Sequence, residues 1–343
     1  MAQAGGREVL SSVSLNAPAL KSCVGCGASG LGRVRGYRTE SPAGRQLFGI
    51  GSVYCCDQCQ LAQLSPVPTE SELDRYYAAD YRKSGRYGSD VADAAAFPRD
   101  NLFYYNRGES VASLLEDRIR ARTGDAPSIL DVGAGFGHIL YSLGRRFPRA
   151  TRVALELSDP CVRHLTSIGV EVVPALLEQF AAGGRTFDVV ILSHVLEHVR
   201  APDAAMRTLR ELLTPRGILY IEVPNIPVDS LRRFPDSKWA PRYDEPHITF
   251  FSVESLRHLI ETHGLEVSWI DTAGPRYRDV SALRYRLPPL KPLLTGLLPA
   301  PIFNALRRTS VTQAVRVKDR EEEFFQYGGY RIWIRSVSQP VPH

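Results

Sequence analysis

The chain has 343 residues, 44% of them hydrophobic and 23% charged, with 27 Gly and 24 Pro. That balance excludes collagenous, coiled-coil and wholly disordered classes, and the length predicts two unequal modules. Its net charge of +5 comes from 42 basic and 37 acidic residues; the basic residues are scattered rather than clustered, so nucleic-acid binding is not expected. The sequence contains no uninterrupted apolar run of about eighteen residues and no basic start followed by an apolar stretch, which predicts a cytoplasmic protein with no transmembrane segment.

Residues 1–19 read as a disordered tail. Five of the six cysteines then fall between Cys23 and Cys59. In a reducing compartment such clustering suggests metal binding rather than disulfides, and two Cys-x-x-Cys knuckles, Cys23/Cys26 and Cys56/Cys59, match a zinc ribbon over residues 20–68. Four thiolates close a tetrahedron with no open position, so the predicted zinc is structural. Gly27 follows the first knuckle, Gln60 stands where a second Gly is expected, and Cys55 is an alternative to Cys56. Leu61 to Pro68, with two prolines, reads as a transition. Glu70 to Tyr87 reads as a tyrosine-rich linker or lid, in which Tyr81 could close over a substrate. Leu102 to Arg122 shows helical apolar spacing, completing a segment 69–125.

From Ser128 the pattern becomes strand, glycine turn, helix, and repeats. Strands are predicted at Ser128–Asp131, Arg152–Leu157, Glu171–Val173, Phe187–Ser193 and Gly217–Val223, with helices at His138–Phe147, Asp159–Ser167 and Pro202–Leu213. Such alternation predicts a parallel α/β sheet covered on both faces, here over residues 126–274. Ser252 caps a further helix to Thr262, followed by strands at Leu265–Ile270 and Tyr330–Val337. Residues 275–343 read as a helical substrate cover and the last strand of the sheet. The proline-broken apolar stretch 287–303 within them packs on the protein itself or contacts a lipid surface or partner.

Asp131-Val-Gly133-Ala134-Gly135-Phe-Gly137 follows a strand and opens a helix. A dinucleotide fingerprint would need its third glycine at His138, which disfavours a nicotinamide-dependent oxidoreductase. The motif instead resembles motif I of the class I S-adenosylmethionine (SAM)-dependent methyltransferases, a Rossmann-like fold in which the glycines admit the cofactor where a Cβ would collide. The resemblance, covering roughly residues 129–265, implies SAM contacts at Asp131, Gly133, Ala134, Gly135 and Gly137. It also implies that Glu156 accepts both ribose hydroxyls beside Leu157, and that Ser193 and His194 line the methionyl end.

The ribbon, the run Leu64-Ser-Pro66-Val-Pro68 and His247-Ile-Thr-Phe250-Phe251-Ser252 extend the resemblance to methyltransferases with an N-terminal zinc ribbon, which include sugar C-methyltransferases and natural-product or glycan enzymes. Where the sugar enzymes have a Glu-His pair, Pro246 precedes His247 and Glu245 is displaced by one position. A hydroxyl oxygen of a small-molecule or glycan-linked acceptor is therefore the expected methyl acceptor. Carbon transfer to a nucleotide-linked sugar, and a zinc-ribbon binding protein with a degenerate methyltransferase fold, are the alternatives. His198 and His247 follow strand ends, where ligands of open α/β sheets bind, and either could take a hydroxyl proton.

Overall fold

The computed structural model describes residues 20–37, 51–75, 102–226, 247–273 and 333–341. Residues 1–19, Tyr81, Glu245, Pro246 and the stretch 287–303, all singled out in the sequence, lie outside them.

At the N-terminal end, β1 (Leu31–Tyr37), β2 (Gly51–Cys56) and β3 (Ala62–Ser65) pair antiparallel. The strand β3 falls where the sequence suggested a transition. Its flanking prolines signal a break locally, whereas its second pairing partner is nearly two hundred residues away and invisible to local pattern. Thr69 caps a short helix α1 (Glu70–Arg75) inside the expected linker: its hydroxyl accepts from the Glu72 backbone N–H at 3.4 Å, while the Glu72 carboxylate accepts the Thr69 N–H at 2.7 Å. This is the reciprocal capping box, legible in Thr69-x-x-Glu72.

Helix α2 (Leu102–Thr123) leads into the large sheet. In chain order follow β4 (Ser128–Val132), α3 (His138–Arg146), β5 (Thr151–Leu155), α4 (Asp159–Ser167), β6 (Glu171–Val173), β7 (Phe187–Ser193), α5 (Pro202–Leu212) and β8 (Leu213–Pro224). Then come β9 (Thr249–Phe250), α6 (Val253–Glu261), β10 (Leu265–Ala273) and β11 (Trp333–Pro340). The sheet order is β10-β11-β8-β7-β4-β5-β6, parallel from β8 to β6, with β11 antiparallel to both its neighbours. This is the Rossmann-like methyltransferase fold. Its central strands β4 and β7 are almost wholly buried, as parallel strands covered on both faces must be. The larger differences from the sequence reading are at strand ends: β5 stops at Leu155, leaving Glu156 and Leu157 beyond its end; β8 starts at Leu213; β10 runs on to Ala273; and β11 runs on to Pro340.

Two features of packing position the site. Gly108 on α2 lies so close to α3 that a Cβ there would stand 2.3 Å from the His138 carbonyl oxygen, so only glycine permits this approach. The small N-terminal sheet continues into the body, because β3 also pairs with β9, and the Leu64 N–H donates to the Ile248 carbonyl at 2.8 Å. Cys23, Cys56, Cys59 and Leu61 share one apolar cluster with Leu130, Val190, Phe251 and Leu256 of the body. Among the described residues, no helix is long and apolar enough to cross a membrane.

Candidate functional site

The ends of β4, β5 and β7 are in register, Val132 pairing with Leu155 and Leu192, so the segments that follow them meet at one edge of the sheet. After β4 the glycine turn folds against β5, with the Gly133 N–H donating to the Leu155 carbonyl at 2.9 Å. The Glu156 carboxylate is buried there and accepts backbone N–H bonds from Gly135 at 2.8 Å and Ser158 at 2.9 Å. The middle glycine differs from its neighbours. At Gly137 a Cβ would meet Leu165 at 2.4 Å, but at Gly135, whose φ is 56°, it would meet nothing within 4 Å. The turn therefore opens to space at Gly135, beside the carboxylate. Leu157 is 39% exposed, one of the exposed large apolar side chains. Asp131 is buried, and burial raises its pKa to about 8, opposed by the charge of Arg107 and reinforced by Glu156.

A chain of buried polar groups starts beneath this turn. Arg107 of α2 reaches across to β8, where its Nε donates to Glu222 Oε1 at 2.8 Å, and it also donates to Ser193 Oγ. Glu222 further accepts from Tyr220 Oη at 2.7 Å and lies 3.1 Å from His194 Nε2. The other His194 nitrogen, Nδ1, is 3.2 Å from Glu197 Oε1. His194 bridges the two carboxylates from a left-handed backbone, φ 58°, a conformation costing a non-glycine residue about 1–3 kcal/mol that the surroundings must hold in place. Trp333 of β11 packs edge-on to the His194 ring and beneath the Arg107 guanidinium.

The turn then brings round Glu197 and His198. Ligand atoms of Glu197, His198 and His247 all lie within 4.8 Å of one another, and the two imidazoles meet edge to face at 4.9 Å. The Ile248 N–H donates to the Glu197 carbonyl at 2.8 Å, which ties the segment carrying His247 to this turn. His247 is buried and His198 is partly exposed. The structure thus gathers both histidines singled out in the sequence, while both ring nitrogens of His194 meet carboxylates of the buried network.

Sequence reasoning missed Arg107, Glu222 and the part played by Glu197. Glu222 had a readable signal, a carboxylate inside the buried run Ile218–Val223, since a lone charge in such a strand needs a partner. The partner itself lies 115 residues earlier and carries no local mark.

The four cysteines Cys23, Cys26, Cys56 and Cys59 also converge, with Sγ atoms 3.6 Å apart for both Cys23/Cys59 and Cys26/Cys56. Alternation along β2 decides between the adjacent thiols: Cys55 points with Val53 into a separate apolar cluster containing Leu64 and Ile248, leaving Cys56 to face the other three. Gln60 adopts the left-handed geometry expected of a glycine, φ 59°, and its N–H closes the second knuckle on the Cys56 carbonyl at 3.1 Å, as Gly27 closes the first on Cys23 at 2.9 Å.

Residues 103–268 match the profile of a protein family described as a methyltransferase domain. The chain is 26% identical over 188 residues to a ubiquinone biosynthesis O-methyltransferase of Rhizobium etli (strain CIAT 652), covering 52% of this chain and 74% of that protein. Against the enzyme of that name from Dinoroseobacter shibae it is 30% identical over 171 residues, covering 45% of this chain and 64% of the other. Among solved structures, the plantazolicin methyltransferase BpumL in complex with a monoazolic desmethylPZN analog and SAH aligns with a TM-score of 0.46 at 14% identity, over 78% of this chain and 94% of that one. The chain carries a methyltransferase domain of class I, and it is a SAM-dependent methyltransferase.

The buried network makes stability depend on pH with a definite sign. Burial acts to raise the pKa of Glu197, but hydrogen bonding to His194 and the charges of nearby imidazoles outweigh it and leave about 2. Glu222 is likewise held below the carboxylate range, burial being outweighed by Arg107 and His194. Burial and Arg107 lower the His194 pKa, and its two carboxylate partners more than reverse this. Depressed carboxylates stabilise the fold above about pH 4.5, and a raised histidine stabilises it below about pH 6.5. The stability difference between wild type and His194→Ala, measured by urea unfolding, should therefore be largest between about pH 4.5 and 6.5 and shrink on either side. A difference that does not vary with pH would contradict this electrostatic role.

Proposed function

We propose that the protein transfers a methyl group to a hydroxyl oxygen of a small-molecule or glycan-linked acceptor. The observation that carries this reading is the cluster of Glu197, His198 and His247 at the edge of the sheet where the glycine turn also opens. Bound SAM supplies an electrophilic methyl group on a sulfonium. The acceptor must be aligned with it and must lose its proton, and an imidazole is suited to receive that proton near neutral pH. Relatives named O-methyltransferase support oxygen as the acceptor atom.

In this reading SAM is held by Asp131, Gly133, Ala134, Gly135, Gly137, Glu156, Leu157 and Ser193. Two features fit it: the open space where a Gly135 Cβ would stand, and a buried carboxylate placed to take hydroxyl donors just past the end of β5. His194 contributes by fixing the turn. The cysteine quartet fits a structural zinc ion, because sulfurs about 2.3 Å from a tetrahedral centre stand about 3.8 Å apart, close to the 3.6 Å found here. The hydrogen bond between Cys23 and Cys59 lowers the pKa of the first thiol and raises that of the second, so the two sulfurs share one proton.

Two outcomes are expected. Metal analysis of protein purified without chelator should find one zinc per chain, lost in Cys26→Ser; a metal-free wild type would contradict the zinc assignment. Offered SAM and a panel of phenolic and sugar hydroxyls, the enzyme should release an O-methyl product. Alanine at the histidine that takes the proton should lower turnover by about a hundredfold or more without weakening binding of S-adenosylhomocysteine (SAH). Near wild-type turnover in both His198→Ala and His247→Ala would remove the histidines from the chemistry.

A further inference from the structure

Glu197 is the one member of the edge cluster with no role in the reading above. Its side chain is 1% exposed, and Oε2 is buried with no hydrogen-bond partner among the described residues, while Oε1 is occupied by His194. A buried carboxylate oxygen without a donor is costly, so its retention calls for a donor that a small side-chain rotation can bring to it. The candidates within 4.8 Å are the imidazoles of His198 and His247. Of these, His198 is partly exposed and able to meet an acceptor, whereas His247 is buried behind it, edge-on at 4.9 Å.

Resting on the proposed hydroxyl transfer, we infer that Glu197 is a positioning residue for His198. Oε2 accepts the N–H of one imidazole nitrogen, which fixes the tautomer and turns the lone pair of the other nitrogen toward the acceptor. During transfer the acceptor O–H proton passes to that lone pair, the acceptor oxygen bonds the methyl carbon, and the electron pair of the broken S–CH3 bond stays on sulfur, leaving a neutral thioether. The new imidazolium then has its positive charge beside a carboxylate, and His198 returns the proton to solvent through its exposed side. The separation seen here closes in the free protein by a rotation of the His198 ring, so the tautomer is fixed before the acceptor binds.

The carboxylate is well held for this task. His194 clamps Oε1, Glu222 and Arg107 hold His194, and the Glu197 carbonyl is bonded to Ile248. A carboxylate clamped at Oε1, on a backbone tied to Ile248, has little freedom to follow a rotating imidazole, so the imidazole must follow it.

The test needs no acceptor. Protein labelled with 15N-histidine, with the His198 signals assigned by their absence from His198→Ala, reports through long-range 1H–15N correlations which ring nitrogen carries the proton. Wild type and Glu197→Asp should show one His198 tautomer, and Glu197→Gln should show a mixture. An unchanged tautomer in Glu197→Gln overturns the inference. It is also overturned if added Mg2+ displaces the His198 and His247 signals together in wild type but not in Glu197→Gln, for the three side chains would then be a cation site. SAH affinity measured on the same samples judges the cofactor reading separately: a wild type that does not bind SAH counts against that reading, and the tautomer still decides the role of Glu197.

Discussion

A carboxylate buried inside the sheet constrains much of this structure. Glu222 sits on β8 with 1% exposure, and an ion there is tolerable only if paired and hydrogen-bonded. Its partners come from three segments: Arg107 from α2, Tyr220 from its own strand and His194 from the turn after β7. Satisfying one charge thus locks the helix, the strand and the turn together. The left-handed backbone at His194 is one consequence, since only that bend lets one imidazole bridge Glu222 and Glu197. The same bridge fixes the direction in which Glu197 and His198 leave the sheet.

The opposite side of the edge follows a different rule. Around the glycine turn the chain removes side chains instead of pairing charges, leaving open space at Gly135 beside the buried carboxylate of Glu156. A rigid charged network on the β7 side and a cleared surface on the β4 side adjoin through Arg107, which bonds Ser193 and Glu222 and acts on the charge of Asp131. Methyl transfer asks for such a division, since a cofactor needs room and an acceptor needs orientation. The cysteine-bearing sheet joins the second side: β3 extends through β9 to the segment carrying His247, so the N-terminal module is built into the edge rather than tethered to it.

The sequence was most legible where the signal is local. The period of apolar residues gave the parallel strands and their order of alternation, and paired knuckles gave the four converging cysteines because their spacing is set by one tight turn. The glycine motif located the opening. Less legible were features that depend on distant partners. β3 reads as a transition at the end of the ribbon because its second neighbour, β9, follows almost two hundred residues later. Arg107 was one arginine among many until it met Glu222. Glu197 stood beside a histidine already noticed, and what distinguishes it, an oxygen buried without a donor, exists only in the folded chain.

The central claim is that SAM binds in the space opened by the glycine turn. Calorimetric titration of SAH into wild type and Gly135→Asn tests it most directly, because asparagine tolerates the left-handed φ of 56° at this turn while its side chain extends into the space that a Cβ there leaves uncontacted. The account predicts saturable binding to wild type and none to the variant, with the circular dichroism of the sheet retained in both. Equal affinity in the two proteins, or no binding to wild type, would contradict it.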